Sequence, residues 1–389
     1  MKVGAPAIKV NRNRDKPGPS LYAGMLEAFR RVQDNLDAMR TSLADPAAAQ
    51  SRLKESLMED YRTTAYGAEF NWDLSPAASY RDLEPWLEKV RQGDHEALLS
   101  EAPITWVMTR GTTGSSKVVP VTPKHMDYLV RGGSRAVLSF AVTHGGLETL
   151  AGGVLNLQFP SNMRVMEEGG REVVYGFSSG TYAKLNPMMA GLRLVPRQEE
   201  IDALETGLSA EDWERRYEHI YQKARDEEIV TVMGVAPVQT GFARYVKKRH
   251  GVLPRDLWKL NVVYTTSVAK IQSRYASVLR NMYGSVPVVE MYTATEGAFG
   301  QQVDELPYWV PNYDLYVFEV ATRGGVKPLH ELRRGEWGRL IVSTPMFPRY
   351  MIGDLVEAAG KNYFRVFGRD RPLTMLEHVL FRAVFGWLL

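Results

Sequence analysis

The run from Ile229 to Tyr292 limits the fold more than any other stretch. Ile229-Val-Thr-Val-Met-Gly-Val235 is rich in β-formers, a helix opens at Pro237 and stops at Gly251, and Leu260-Asn-Val-Val-Tyr264 reads as a second strand. A further helix from about Ala269 stops at Gly284, ahead of a third strand, Val286-Pro-Val-Val-Glu-Met-Tyr292. Glycine just past a helix is the usual left-handed stop. Strand, helix, strand, helix, strand at this spacing predicts a parallel sheet covered by helices. Ligands of such sheets sit beyond the carboxyl ends of the strands. That rule directs attention to Val235, to Thr265-Thr266-Ser267 and to Thr293-Ala294-Thr295-Glu296.

The flanking regions have a different character. Residues 1–18 are rich in Pro, Gly, Lys and Arg and read as a loose arm. Leu21 to about Leu57 is helical in pattern with a break near Pro46, and Tyr80 to Leu99 is helical again. After Tyr313 come short strands with turn residues (Tyr313–Val320, Gly338–Ser343, Leu355–Ala358, Tyr363–Phe367), expected to form a small, mostly antiparallel β subdomain. The expected organisation is an arm over 1–18, an α/β region over 19–310, a small β subdomain over 311–368, and a hinge with a short apolar tail over 369–389. With 44% apolar and 24% charged residues in 389, this is a globular composition. A net charge of +3, dispersed along the chain, gives no case for a nucleic-acid partner. The absence of cysteine excludes disulfides, thiolate metal sites and cysteine nucleophiles. No apolar run approaches the roughly 20 residues that span a bilayer, and no signal peptide is visible. The expectation is a cytoplasmic protein without a membrane partner.

Three short motifs carry chemistry. Thr109-Arg-Gly-Thr-Thr-Gly-Ser-Ser-Lys117 follows a strand-like Ile104–Met108. It fails the Walker A pattern, because Ser116 stands where that loop needs glycine, and it lacks the G-x-G-x-x-G fingerprint. Its glycines, hydroxyls and lysine suit either a phosphate cradle or an ordinary polar surface loop. Downstream, Thr122-Pro123 has the form of a helix cap with proline in the first turn. Tyr292-Thr-Ala-Thr-Glu296-Gly297 ends the third strand. There a hydroxyl and a carboxylate suit a phosphate oxygen and Mg²⁺, or simply the capping of a turn. Arg349-Tyr-Met-Ile-Gly353-Asp354 offers a carboxylate after a turn glycine, fit to accept from ribose hydroxyls or to close a β-turn. Ser178-Ser-Gly-Thr-Tyr-Ala-Lys184, a superficially similar loop, is expected to be a turn or a pocket wall.

Taken together, the order of these motifs and their spacings of roughly 180 and 60 residues resemble the adenylate-forming superfamily of acyl- and aryl-CoA synthetases, nonribosomal adenylation domains and luciferases. The first motif is similar to that superfamily's T-S-G-T-T-G-x-P-K loop, with Arg110 for Ser and Ser116 for Pro. The second resembles Y-x-x-T-E, the third the ribose-binding aspartate motif, and Phe367-Gly-Arg369-Asp370 the hinge that follows. Val310–Val320, Arg349–Gly360 and Lys117-Val-Val-Pro120 resemble the GH3 acyl-acid amido synthetases in particular, whereas Thr113 and Ser115 sit closer to the wider superfamily.

The resemblance implies an α/β fold: the large N-terminal domain of an adenylate-forming enzyme, with parallel α/β subdomains, a small β-barrel-like subdomain and its C-terminal domain largely absent. It implies a ligase that uses Mg²⁺ and ATP to convert a small carboxylic acid into acyl-AMP. The acyl group would then pass to an amine such as that of an amino acid, or to the thiol of CoA or a carrier protein. A nucleotide-binding module without turnover is the remaining alternative. The implied site assigns Thr109, Arg110, Gly111, Thr112, Thr113, Gly114, Ser115 and Lys117 to the β- and γ-phosphates, Thr295 to the α-phosphate and Glu296 to Mg²⁺. Asp354 and Arg369 would hold the ribose, and Thr265, Thr266, Ser267 and Tyr292 would flank adenine. The acid is expected between the helix from Pro123 to about Ala141 and the segments at Gly176–Tyr182 and Val235–Gln239, with Tyr182 and Val235 in contact and Arg131 or Arg135 meeting a second polar group. Only 19 residues follow Asp370. The superfamily's C-terminal domain and its lysine are therefore expected from a partner chain, or adenylation by this chain alone is expected to be slow.

Overall fold

The computed structural model describes residues 19–109, 116–146, 150–187, 191–266 and 271–385. Of the sequence-derived candidates, Arg110, Gly111, Thr112, Thr113, Gly114, Ser115 and Ser267 lie outside the described residues.

The strands in chain order are β1 (Thr105–Met108), β2 (Val118–Val121), β3 (Gly153–Asn156), β4 (Arg164–Glu168), β5 (Arg171–Phe177), β6 (Arg193–Val195), β7 (Ile229–Val235) and β8 (Val262–Thr266). Then follow β9 (Val288–Ala294), β10 (Gly297–Gln301), β11 (Val310–Pro311), β12 (Val317–Thr322), β13 (Gly325–Pro328), β14 (Trp337–Ser343), β15 (Tyr350–Gly360) and β16 (Tyr363–Arg369). The expected strand-helix alternation builds a seven-stranded sheet in the order β11-β10-β9-β8-β7-β3-β6. Its β6-β3-β7-β8-β9 portion is parallel, and β10 and β11 extend it antiparallel. The helix Ala236–His250 covers β7 and ends at Gly251, which takes φ +77°. After β8 the chain re-enters the described residues as a π-helical turn, Ile271–Tyr275, and then the helix Ala276–Tyr283.

A four-stranded sheet, β2-β1-β5-β4, lies on one side of the site, and a five-stranded antiparallel sheet, β13-β12-β14-β15-β16, on the other. Two isolated bridges tie the last sheet in: Trp309 pairs with Phe364, and Ala78 pairs with Tyr350. Arg349, just before β15, takes φ +42°, a left-handed conformation unfavourable for a side chain. An ion pair to Glu319 at 2.9 Å and hydrogen bonds to the Trp72 and Ser75 carbonyls hold it there. Arg349 is therefore a clamp between the N-terminal helices and the start of β15.

Local sequence chemistry sets the helix ends. The break near Pro46 separates the helices Pro19–Ala44 and Pro46–Tyr61, with Asp45 capping the second through the Ala48 amide. The helix expected over Tyr80–Leu99 stops at Arg91, because Gly93 turns the chain at φ +99° before a single 3-10 turn at His95–Ala97. Thr122 caps the long helix Pro123–Thr143, accepting from the His125 amide. That helix packs Ala136, Val137 and Phe140 against Val262, Tyr264 and Met291 of the central sheet. Ser178–Lys184 is a helix, Ser178–Leu185, rather than a turn, and it forms a wall of the site.

Candidate active site

A cavity of about 540 Å³ opens at the carboxyl ends of the central strands. It is walled by the Pro123–Thr143 and Ser178–Leu185 helices, by β7 and β9, and by β15 and β16. Thr109, Lys117, Tyr182, Val235, Thr266, Tyr292, Thr295, Glu296, Asp354 and Arg369 all line it. Three motifs far apart in sequence thus share one space.

Two linked networks organise its polar end. In the first, the Lys117 ammonium donates to the Tyr350 hydroxyl at 2.9 Å, and that hydroxyl donates to Glu296 Oε1 at 3.2 Å. Lys117 is positioned by its backbone: Thr109 N donates to the Lys117 carbonyl at 2.9 Å and Lys117 N donates to Thr109 Oγ1 at 3.0 Å. These bonds pinch together the two ends of the loop between β1 and β2. Burial lowers the Lys117 pKa, with Glu296 opposing the shift. Burial likewise raises the Glu296 pKa, with Lys117 opposing. A carboxyl desolvated to this degree gains strongly from a nearby cation.

In the second network Asp354 is the hub. The Tyr292 hydroxyl donates to Asp354 Oδ2 at 2.7 Å, and Arg369 donates to Oδ1 at 2.8 Å. The β15–β16 register sets Asp354 directly opposite Arg369. Gly353 sits at φ +86°, the left-handed region that glycine enters freely. Burial raises the Asp354 pKa, and the Arg369 guanidinium is the main force against it. The Tyr292 ring stacks on Trp309 with centroids 4.8 Å apart and planes 9° apart. Each carboxylate oxygen has two acceptor sites, so Asp354 retains capacity for hydroxyl donors beside its two present partners.

Thr295 lies between the networks and the helical wall. Its hydroxyl is 3.1 Å from that of Ser178, and Tyr182 donates to its carbonyl at 2.7 Å. Beneath it His125 is fully buried, which pushes its pKa down to about 3 and keeps the ring neutral at physiological pH. Thr266 bonds Thr293 across the β8 and β9 ends at 2.7 Å.

Two sets of expected contacts are absent from the cavity wall. Thr265 is fully buried behind the sheet, because strand alternation sends it to the face opposite Thr266. Arg131 and Arg135 face away as well. Arg135 is fully buried and binds both oxygens of Asp314, at 2.7 and 2.6 Å, together with Asn312 and Asn35. Arg131 reaches the same Asp314 at 3.3 Å. The cavity side of their helix is instead Met126, Leu129, Val130, Gly133, Ser134 and Val137. These positions recur at three- and four-residue steps, a signal present in the sequence that marks the correct face. Tyr350 and Trp309 were also missed as site residues. Tyr350 stands inside the third motif, whereas nothing local marks Trp309.

A cation site must fit these donors. Among the described residues no group of three or more His, Asp or Glu side chains is arranged to hold a metal. Glu296 offers a single buried carboxylate. That suits Mg²⁺, which is commonly held by one or two carboxylates with phosphate oxygens and water completing the shell.

Comparisons with known proteins bear on the fold. Residues 35–220 match the model of the GH3 family N-terminal domain. The structure superposes on the AtGH3.15 acyl acid amido synthetase in complex with 2,4-DB with a TM-score of 0.72 and 14% identity, covering 87% of this chain and 70% of that one. A second structure of the GH3.15 acyl acid amido synthetase gives a TM-score of 0.65 at 15% identity, covering 84% and 68%. A 2-hydroxyisobutyryl-CoA ligase in complex with 2-HIB-AMP and CoA gives 0.55 at 13% identity, covering 84% and 68%. No curated protein is significantly similar in sequence. At these identities the structural likeness is one of fold. Residues 35–220 thus resemble the GH3 family N-terminal domain, and the chain shares the fold of the acyl acid amido synthetase and CoA ligase structures.

Proposed function

We propose that the protein uses ATP to activate a carboxylic acid as acyl-AMP and transfers the acyl group to the amine of an amino acid. The convergence of Lys117, Glu296 and Asp354 on one cavity carries this reading. A carboxylate oxygen attacks the α-phosphorus and pyrophosphate leaves; the amine then attacks the acyl carbonyl, AMP leaves and the amine gives up a proton. Much of the work in such a step is positioning and charge neutralisation. Asp354 accepts from the ribose hydroxyls, held in place by Arg369 and Tyr292. The Tyr292–Trp309 stack and Thr266 border the base. Thr295 donates to the α-phosphate. Lys117 swings from Tyr350 toward the leaving phosphates, which outcompete a neutral phenol for an ammonium. Glu296 would hold Mg²⁺, which supplies charge neutralisation of the phosphates when bound. Transfer to a CoA or carrier thiol is the competing second step, favoured by the likeness to the CoA ligase fold.

Titration with ATP and Mg²⁺, followed by pyrophosphate release over an acid panel with amino-acid or CoA acceptors, tests the reading. Binding is expected in the micromolar to millimolar range usual for such substrates. Lys117→Ala and Asp354→Ala are each expected to weaken ATP binding by about tenfold or more. Unchanged binding by both variants would refute the site, and an amide rather than a thioester product would fix the acceptor class.

A further inference from the structure

We propose that the arm of the cavity along the Pro123–Thr143 helix takes an elongated monocarboxylic acid with an uncharged, apolar body, and that Gly133 sets the length of that body. The inference rests on the acid-activating reading above and deepens it.

Apolar side chains from three elements line the cavity along this helix, with Ser134 among them and Gln158, Ser178, Ser179 and Asn186 also in the lining. Met126, Leu129, Val130 and Val137 come from the helix, Met233 from β7 and Met291 from β9. Methionine is unbranched and polarizable, so such a wall adapts to a flexible chain. The charged side chains of the lining are Lys117, Glu296, Asp354, Arg369 and Arg371, and none belongs to the helix, to β7 or to β9 proper. Of the cations on the helix, Arg131 and Arg135 are committed to Asp314 and Lys124 to Asp60. A second carboxylate there would be desolvated with no cation from the helix, β7 or β9 to pair with, an unfavourable state.

The paired glycines of the helix separate cause from effect. At Gly132 a Cβ would stand 2.7 Å from the Ala298 carbonyl oxygen, so packing against β10 demands glycine there. At Gly133 a Cβ would meet nothing within 4 Å. Glycine in a helix interior is unfavourable relative to alanine, and at position 133 no neighbour requires it. What the missing side chain provides is open space in the cavity wall.

Binding of straight-chain monocarboxylic acids of increasing length, and of the matching α,ω-dicarboxylic acids, tests this by calorimetry at saturating non-hydrolysable ATP analogue and Mg²⁺. For the parent protein affinity is expected to rise with chain length to a limit, and a terminal second carboxylate to weaken binding by about tenfold or more. Gly133→Leu is expected to shorten the limit by about three to four carbons, and Gly133→Ala by about one, because overpacked side chains are poorly tolerated. The ATP analogue should bind both variants within about twofold of the parent, since no nucleotide contact is changed. An identical length profile in parent and variants, or dicarboxylates bound as tightly as monocarboxylates, overturns the inference while leaving acid activation intact. Should Gly133→Leu not fold, the one-carbon step in Gly133→Ala decides. Failure of the parent to bind the ATP analogue at all overturns the functional reading itself, and this inference with it.

Discussion

The two ends of the cavity are built on opposite principles. At the end where Lys117 and Asp354 lie, every group named is a hydrogen-bonding one, and each is already engaged: Lys117 with Tyr350, Tyr350 with Glu296, and Asp354 with both Tyr292 and Arg369. Position is set by mutual hydrogen bonding, so the end is preorganised. The helix end is shaped by methionines, aliphatic side chains and one missing side chain at Gly133. Charge-bearing groups near that end, such as Arg135, are turned outward into a separate ion-pair network. The contrast teaches that the charged groups at the polar end of the cavity are each held by a partner, whereas the side chains that the helix, β7 and β9 give to the cavity carry no charge.

Three substitutions would break or sharpen this comparison, in decreasing order of effect. Arg135→Ala leaves Asp314 with only the longer Arg131 contact at 3.3 Å and takes a donor from the Asn35 and Asn312 side-chain oxygens, and should be the most damaging. Removing one member of a buried pair commonly costs about 3–5 kcal/mol, and Asp314 retains enough exposure to bring the expected value to the lower end. Denaturant unfolding measures it, and a loss below about 1 kcal/mol would remove the structural role assigned to Arg135.

Glu290 on β9 supplies the contrasting case of a buried carboxyl without a compensating charge. Burial alone pushes its pKa up to about 8. The folded protein therefore holds this proton more tightly than the unfolded chain. Its contribution to stability is full below the ordinary carboxylate pKa and is lost as pH rises toward about 8. Glu290→Gln should match the parent near pH 5 and exceed it in stability near pH 9. Equal pH dependence of unfolding in the two proteins would contradict this assignment.

The smallest effect belongs to Tyr350→Phe, which removes the hydroxyl between Lys117 and Glu296 without changing shape. A single hydrogen bond of this kind contributes about 1 kcal/mol, more where a charged group takes part. The Lys117 ammonium loses its resting partner, so ATP binding is expected to change by less than about tenfold, while Lys117→Ala loses the phosphate contact itself. A larger loss in Tyr350→Phe than in Lys117→Ala would mean that Tyr350, and not Lys117, carries the contact.

Much of this was legible before any coordinates. Alternation of β-rich runs with glycine-terminated helices gave the parallel sheet, and Pro46, Thr122 and Pro123 marked helix starts through local capping chemistry. The motifs named Lys117, Thr295, Glu296, Asp354, Arg369 and Tyr292, and the cavity gathers them. What misled was charge treated as a sign of function. Arg131 and Arg135 stood on the right helix and attracted the role of substrate contacts, but they lie off the stripe that Met126, Leu129, Val130, Gly133 and Val137 define. Tyr80–Leu99 reads as one helix because Glu96–Leu99 are good helix formers, whereas the chain turns at Gly93.

Sequence by itself determined the elements that depend on near neighbours: strand and helix order, caps and stops, and the hydroxyl, carboxylate and lysine chemistry of the motifs. Those follow from backbone sterics and hydrogen bonds that close within a few residues. Only the tertiary structure decided which partner each charged group takes, how Trp309 comes to lie under Tyr292, and why Gly132 must be glycine while Gly133 opens a cavity. Those outcomes join residues far apart in the chain, 233 positions in the case of Lys117 and Tyr350 and 277 for Arg349 and Trp72. They depend on burial, where an ionised group must find a partner or turn outward, and no local pattern in the chain records which of these it does.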